Sequence, residues 1–131
     1  MSAFISKLIL ERGIGRDEWI LDRLLAYDSD TAGLIEVPAG FKTDFASIPR
    51  IFHRLLPQNG EYDAPAIIHD YLYATGIFPK AKADLIFLEA MKALGVAWWK
   101  REAMYQAVNA FGWFAWNAHR AKTCIGHVVN Q

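Results

Sequence analysis

Asp63-Ala64-Pro65-Ala66-Ile67-Ile68-His69-Asp70-Tyr71-Leu72-Tyr73-Ala74-Thr75-Gly76-Ile77-Phe78-Pro79-Lys80-Ala81-Lys82-Ala83-Asp84-Leu85-Ile86-Phe87-Leu88-Glu89-Ala90-Met91-Lys92-Ala93-Leu94-Gly95 decides the fold, because it reads as two helices joined by a turn too short to part them. Asp63 suits an N-cap and Pro65 a first turn, where its missing N–H costs nothing, so the first helix runs from about Ala64 to Ala74. Thr75-Gly76-Ile77-Phe78 closes it, Pro79 opens the second helix, and Gly95 ends that one. A connection of about four residues makes the pair an antiparallel hairpin.

C-terminal to the hairpin, a third helix is expected over about Ala97 to Ala118, with Ala103, Met104, Ala107, Val108 and Phe111 on its buried stripe. N-terminal to it the pattern changes. Apolar residues alternate or cluster briefly between turn residues, which predicts strands at Phe4 to Leu10, Trp19 to Tyr27 and Leu34 to Val37. Asp28, Ser29, Asp30 and Gly33 supply the hairpin connection between the last two, and Phe41 to Arg50 follows neither period and reads as an ordered loop. The expected architecture is therefore α+β: a small N-terminal antiparallel sheet followed by three helices. It forms one domain over residues 1–131, with 1–50 mainly strands and loop and 62–120 helical.

The hairpin also brings polar residues together. His69 lies five residues before the first helix ends and Asp84 five after the second begins, so at about 1.5 Å per residue both stand about 7 to 8 Å from the turn. They are level across helix axes about 8 to 10 Å apart. Asp84, Phe87, Leu88 and Met91 recur at i, i+3, i+4, i+7, which puts a carboxylate on an apolar stripe where it needs a donor. His69 and Tyr73, at i and i+4 on the facing helix, are the donors at hand, and Asp70 points to the rim of the same site. A histidine in a helix is more often a satisfied packing residue than a catalytic one, so both readings stand at this point. His53, His119 and His127 have no such partners in the pattern and read as surface or packing residues.

Composition sets the outer bounds. The chain has 131 residues, 53% of them apolar, with 14 acidic and 14 basic residues giving zero net charge. One core is expected, and scattered Lys and Arg without a basic excess argue against a nucleic-acid partner. Cys124 is the single cysteine, so no internal disulfide forms and packing must hold the fold, as suits a reducing cytoplasm. The N-terminal apolar run is too brief and too charged, with Lys7, Glu11 and Arg12, for a secretory signal or a membrane span.

Three ordered motifs carry a resemblance. Val37-Pro38-Ala39-Gly40-Phe41-Lys42-Thr43-Asp44-Phe45-Ala46-Ser47-Ile48-Pro49, then His69-Asp70-Tyr71-Leu72-Tyr73, then Ala83-Asp84-Leu85-Ile86-Phe87-Leu88-Glu89-Ala90-Met91, resemble a family of unknown function common in tailed phages and prophages. That resemblance implies a protein made in the bacterial host cytoplasm and associated with the virion or tail. Its partners would be other phage structural proteins or further copies of itself.

A more distant likeness concerns chemistry. His69-Asp70-x-x-Tyr73 and Ala83-Asp84 are similar to the helical motifs of phospholipase A2 enzymes, including the viral capsid type. The likeness implies that His69 is a general base, that Asp84 and Tyr73 orient it, and that Asp70 ligates calcium. Those enzymes draw further calcium ligands from an upstream Gly-rich loop that this chain lacks, leaving Asp44 as the remaining candidate ligand. The alternative is a non-catalytic clamp in which Asp44 docks the loop onto the hairpin.

The third helix is unusually aromatic, with Trp98, Trp99, Tyr105, Phe111, Trp113, Phe114 and Trp116. Burial against the sheet or a partner subunit is the favoured reading, and interfacial contact with membrane lipid is the second.

Overall fold

Side chains that replace backbone partners divide the N-terminal part into shorter strands than the apolar pattern suggests. The computed structural model describes residues 2–6, 8–12, 18–44, 48 and 63–129, and of Glu11, Arg12 and residues 123–129 the backbone alone. His53, residues 45–47 and 49–50 of the expected loop, and the side chains of Cys124 and His127 lie outside that description.

The strands are β1 (Ala3–Phe4), β2 (Leu10–Arg12), β3 (Trp19–Leu21), β4 (Leu25–Ser29), β5 (Gly33–Val37) and β6 (Lys42–Thr43). They form two antiparallel three-stranded sheets, ordered β1-β4-β5 and β2-β3-β6. The strand expected over Phe4 to Leu10 is thus two strands in different sheets. Ser6 is the cause at its near end, since its Oγ donates to the Leu24 carbonyl at 3.1 Å and accepts the Ala26 N–H at 2.8 Å, ending the regular ladder. Trp19 to Tyr27 likewise divides at Asp22 to Leu24, where the chain passes from one sheet to the other.

Asp28 and Ser29 belong to β4 and not to its turn. The Ser29 Oγ accepts the N–H groups of Thr31 and Ala32, each at 3.1 Å, and Gly33 takes φ +78° to start β5. In the expected loop, Lys42 and Thr43 pair with Ile20 and Trp19.

Among the described residues four helices follow, where three were expected: α1 (Asp63–Thr75), α2 (Lys80–Ala93), α3 (Trp98–Phe111) and α4 (Trp113–Val129). Gly76, at φ +63°, ends α1 in the left-handed conformation typical of the residue after a helix. The long third helix is interrupted at Gly112, which is packed so closely that an added Cβ would lie 2.5 Å from the Tyr73 hydroxyl and against the Val108 carbonyl. Just before that interruption Phe111, a residue of the expected stripe, is 66% exposed while Met104, Ala107 and Val108 are buried.

The core has two parts. Leu21, Leu25, Tyr27, Ile35 and Val37 of the sheets pack on Ile67, Ile68 and Leu72 of α1 and on Ile86 and Ala90 of α2. Phe87 and Met91, on the other side of α2, pack on Met104 and Val108 of α3. The hairpin is therefore sandwiched between sheets and the C-terminal helices, which seals its inner face.

Candidate functional site

The α1–α2 hairpin places four polar side chains on its sealed face. Tyr73 follows His69 by one turn of α1, and Asp84 follows Lys80 by one turn of α2, so each helix presents an i, i+4 pair to the other. The His69 Nε2 lies 2.7 Å from Asp84 Oδ1, and the Tyr73 hydroxyl donates to that same oxygen at 2.7 Å. The other carboxylate oxygen accepts from Lys80 Nζ at 2.8 Å. His69 and Asp84 are fully buried, and the imidazole is packed against the rings of Tyr73 and Phe87, with centroids 4.2 and 4.7 Å away.

Protonation follows from these partners. A carboxylate only accepts, so His69 must carry its proton on Nε2 and leave Nδ1 as the unprotonated ring nitrogen. Burial lowers the His69 pKa below its ordinary value, with Asp84 acting in the opposite sense and Lys80 adding to the lowering. Burial alone would raise the Asp84 carboxyl, but the hydrogen bonds from His69, Lys80 and Tyr73 hold it below the usual carboxylate range. Burial and the bond to Asp84 push the Tyr73 phenol well above its usual value. The resting site is a neutral imidazole, a carboxylate and a phenol.

Lys80 was absent from the sequence reading, although its spacing from Asp84 was visible. Besides Asp84 it donates to the carbonyls of Val108 at 3.0 Å and Asn109 at 3.2 Å, and its ammonium sits 4.8 Å from the centre of the Trp113 ring. An ammonium at the C-terminal end of α3 sits at the favourable end of the helix dipole, and at Val108 it is a second donor to a carbonyl that also accepts the Gly112 N–H. It joins three helices at one point.

Asp70 is turned away from this cluster, toward a cleft of about 300 Å³ that Thr43, Asp44, His119 and Lys122 also line. Asp70 is 6% exposed, and its carboxylate accepts the Thr43 hydroxyl. Thr43 thus docks β6 onto α1, and Asp44, the docking residue of the clamp alternative, is exposed on the same cleft. His119, read as a surface or packing residue, is half-buried in the cleft wall. Burial lowers its pKa, aided by Lys122 and Arg120 and opposed by Asp44.

Asp44 and Asp70 do share one cleft, as the calcium reading requires, but calcium takes about six to eight oxygens. Among the described residues no group of three or more His, Cys, Asp or Glu is arranged to hold a metal ion. One Asp70 oxygen is already engaged by Thr43. The described donors do not by themselves make a calcium site.

Burial against the sheet, favoured for the aromatic segment, is overturned for most of it: Trp98, Trp99, Phe111, Trp113 and Phe114 are 54 to 91% exposed. Trp116 is the exception that packs inward, edge-on to Tyr73 with ring centres 5.3 Å apart. No helix among the described residues is long and apolar enough to cross a membrane.

A family model described as a protein of unknown function, DUF1353, matches residues 19–108, which include His69, Asp70, Tyr73, Lys80 and Asp84. The chain belongs to the DUF1353 family. It is also similar to the uncharacterized protein y4jT of Sinorhizobium fredii, 38% identical over 78 residues, covering 58% of this chain and 23% of that protein. The DUF1353 chain therefore corresponds to less than a quarter of this relative's length. No solved structure matches it.

Proposed function

We propose that this chain is a phage- or prophage-borne protein, associated with the virion or tail, whose His69–Asp84 site is a phospholipase A2-like hydrolytic centre directed at host membrane lipid. The observation that carries the reading is the shared acceptor: one oxygen of Asp84 receives both His69 Nε2 at 2.7 Å and the Tyr73 hydroxyl at 2.7 Å. That arrangement holds the ring in the tautomer a general base needs, in which Nδ1 is the nitrogen that would take a proton from water attacking an ester carbonyl. Asp84 would then stabilise the imidazolium, as a buried carboxylate partner does. His69 has no exposed surface, so ester and water reach it only when neighbouring side chains move. The motifs quoted above support the phage setting, where the protein would be made in the host cytoplasm and join other particle proteins or further copies of itself.

A second reading rests on Lys80. Its ammonium neutralises Asp84 and ties it to α3, which is what a non-catalytic clamp in an assembly protein requires. Fatty-acid release from phospholipid vesicles, measured with and without added calcium, separates the two. The hydrolase predicts release by the parent and a loss of about a hundredfold or more in His69→Ala. Inactivity of the parent across millimolar calcium, with His69→Ala still folded, would establish the clamp.

A further inference from the structure

The α3–α4 corner projects apolar side chains that the core does not use. Phe111 is 66%, Trp113 54% and Phe114 91% exposed, and Ile77 in the α1–α2 turn is 58% exposed. Lys80 brings the two segments together, since it follows that turn and bonds the Val108 and Asn109 carbonyls beneath the corner while lying under the Trp113 ring. Arg120 adds a second tie, donating to the Tyr73 and Ala74 carbonyls at 2.5 and 3.1 Å.

We infer that this corner docks the protein onto the surface of an anionic lipid bilayer. Charge favours that occupant. All fourteen acidic residues precede Ala103, so α4 and most of α3 have none, and none lies between Tyr71 and Ala83. Of the basic residues on these segments, Lys122 is exposed and Lys82 partly so, while Lys80 and Arg120 are committed to Asp84 and to helix carbonyls. A second copy pairing through this corner would bring like charges together, whereas anionic headgroups oppose them with the complementary sign. Exposure favours it too, because Phe114, 91% exposed, is free to insert among headgroups, where Trp and Phe settle at the boundary of the acyl region. The corner also adjoins the buried site, for Lys80 contacts both Trp113 and Asp84. The inference takes its class of partner from the lipid-directed reading above, but its test requires no turnover.

Co-sedimentation with vesicles of phosphatidylcholine alone and of phosphatidylcholine with phosphatidylglycerol, together with tryptophan emission, tests it. The parent is expected to pellet preferentially with the phosphatidylglycerol vesicles and to shift its emission to the blue. The double variant Phe111→Ser/Phe114→Ser, both at exposed sites and checked for fold by circular dichroism, is expected to lose about tenfold or more in binding. His69→Ala is expected to bind as the parent does, so that failure of hydrolysis and failure of docking are read separately. A parent that stays in solution with both vesicle types, or a double variant that binds as well as the parent, would overturn the inference. So would a dimer in sedimentation analysis that the double variant disperses, which would assign the corner to a second copy.

Discussion

Asp84 has more donors than one carboxylate at the surface would collect: an imidazole, a phenol and an ammonium from two helices, all within 2.8 Å. Deleting it strands a buried ammonium and two buried polar groups at once. Asp84→Ala is therefore expected to destabilise by about 3 to 5 kcal/mol in denaturant melts, the cost of breaking a buried ion pair. Asp70→Ala removes the acceptor of the Thr43 hydroxyl and is expected to cost about 1 kcal/mol. Similar small losses for both variants would mean that the network contributes little to holding the helices. Lys80→Met keeps the stem and removes the charge, and Asp84 then retains His69 and Tyr73 as donors. Its cost is expected near 2 kcal/mol. Because Lys80 lowers the affinity of His69 for a proton, the imidazole of that variant is expected to titrate higher, which NMR of the ring measures directly.

Among the elements, Gly112 divides one expected helix into two, and the division rests on a contact no local pattern announces. A methyl group there meets the Tyr73 hydroxyl at 2.5 Å, so Gly112→Ala is expected to cost about 1 to 3 kcal/mol and to disturb the Tyr73–Asp84 bond, despite alanine's better helix propensity. A gain in melting temperature would show that the corner tolerates a continuous helix. The sheet meets α2 at Glu89, whose carboxylate accepts the hydroxyls of Tyr27, Ser29 and Thr31, each at 2.6 Å. Glu89→Ala is expected to cost about 1 to 3 kcal/mol and to loosen β4 and β5, seen as faster amide exchange at Tyr27 and Ile35. The hairpin was legible because its punctuation is local: Pro65, Gly76, Pro79 and Gly95 each act on the backbone beside them. The level placement of His69 and Asp84 then follows from helix rise alone. Ser6 ending a strand, Thr43 docking β6, and Lys80 capping α3 were not legible, since each depends on a partner brought near only by the completed fold.

At the scale of the whole molecule, acid acts on two buried groups in the same direction. His69 has a folded pKa below its ordinary value of 6.5, chiefly through burial, so between those two values the unfolded chain binds a proton that the folded protein refuses. The stability this contributes is complete above pH 6.5 and is lost as pH falls toward the folded pKa. Asp84 is held below 3.8 by its donors against the effect of burial, so its contribution is complete above that value and is lost at still lower pH. Unfolding free energy from denaturant melts is therefore expected to be flat near pH 7 to 8 and to decline below about 6.5. The His69 contribution approaches a slope of 1.4 kcal/mol per pH unit, the limit for one proton. In His69→Phe, which keeps a ring against Tyr73 and Phe87 but has no proton to bind, the decline below about pH 6.5 is expected to be shallower than in the parent, leaving the part due to His119, whose pKa burial also lowers. A parent profile unchanged from pH 7.5 down to 5, or a His69→Phe profile with the same slope as the parent, would show that folding does not lower the proton affinity of His69 and that the description of the site as a neutral imidazole held by burial is wrong.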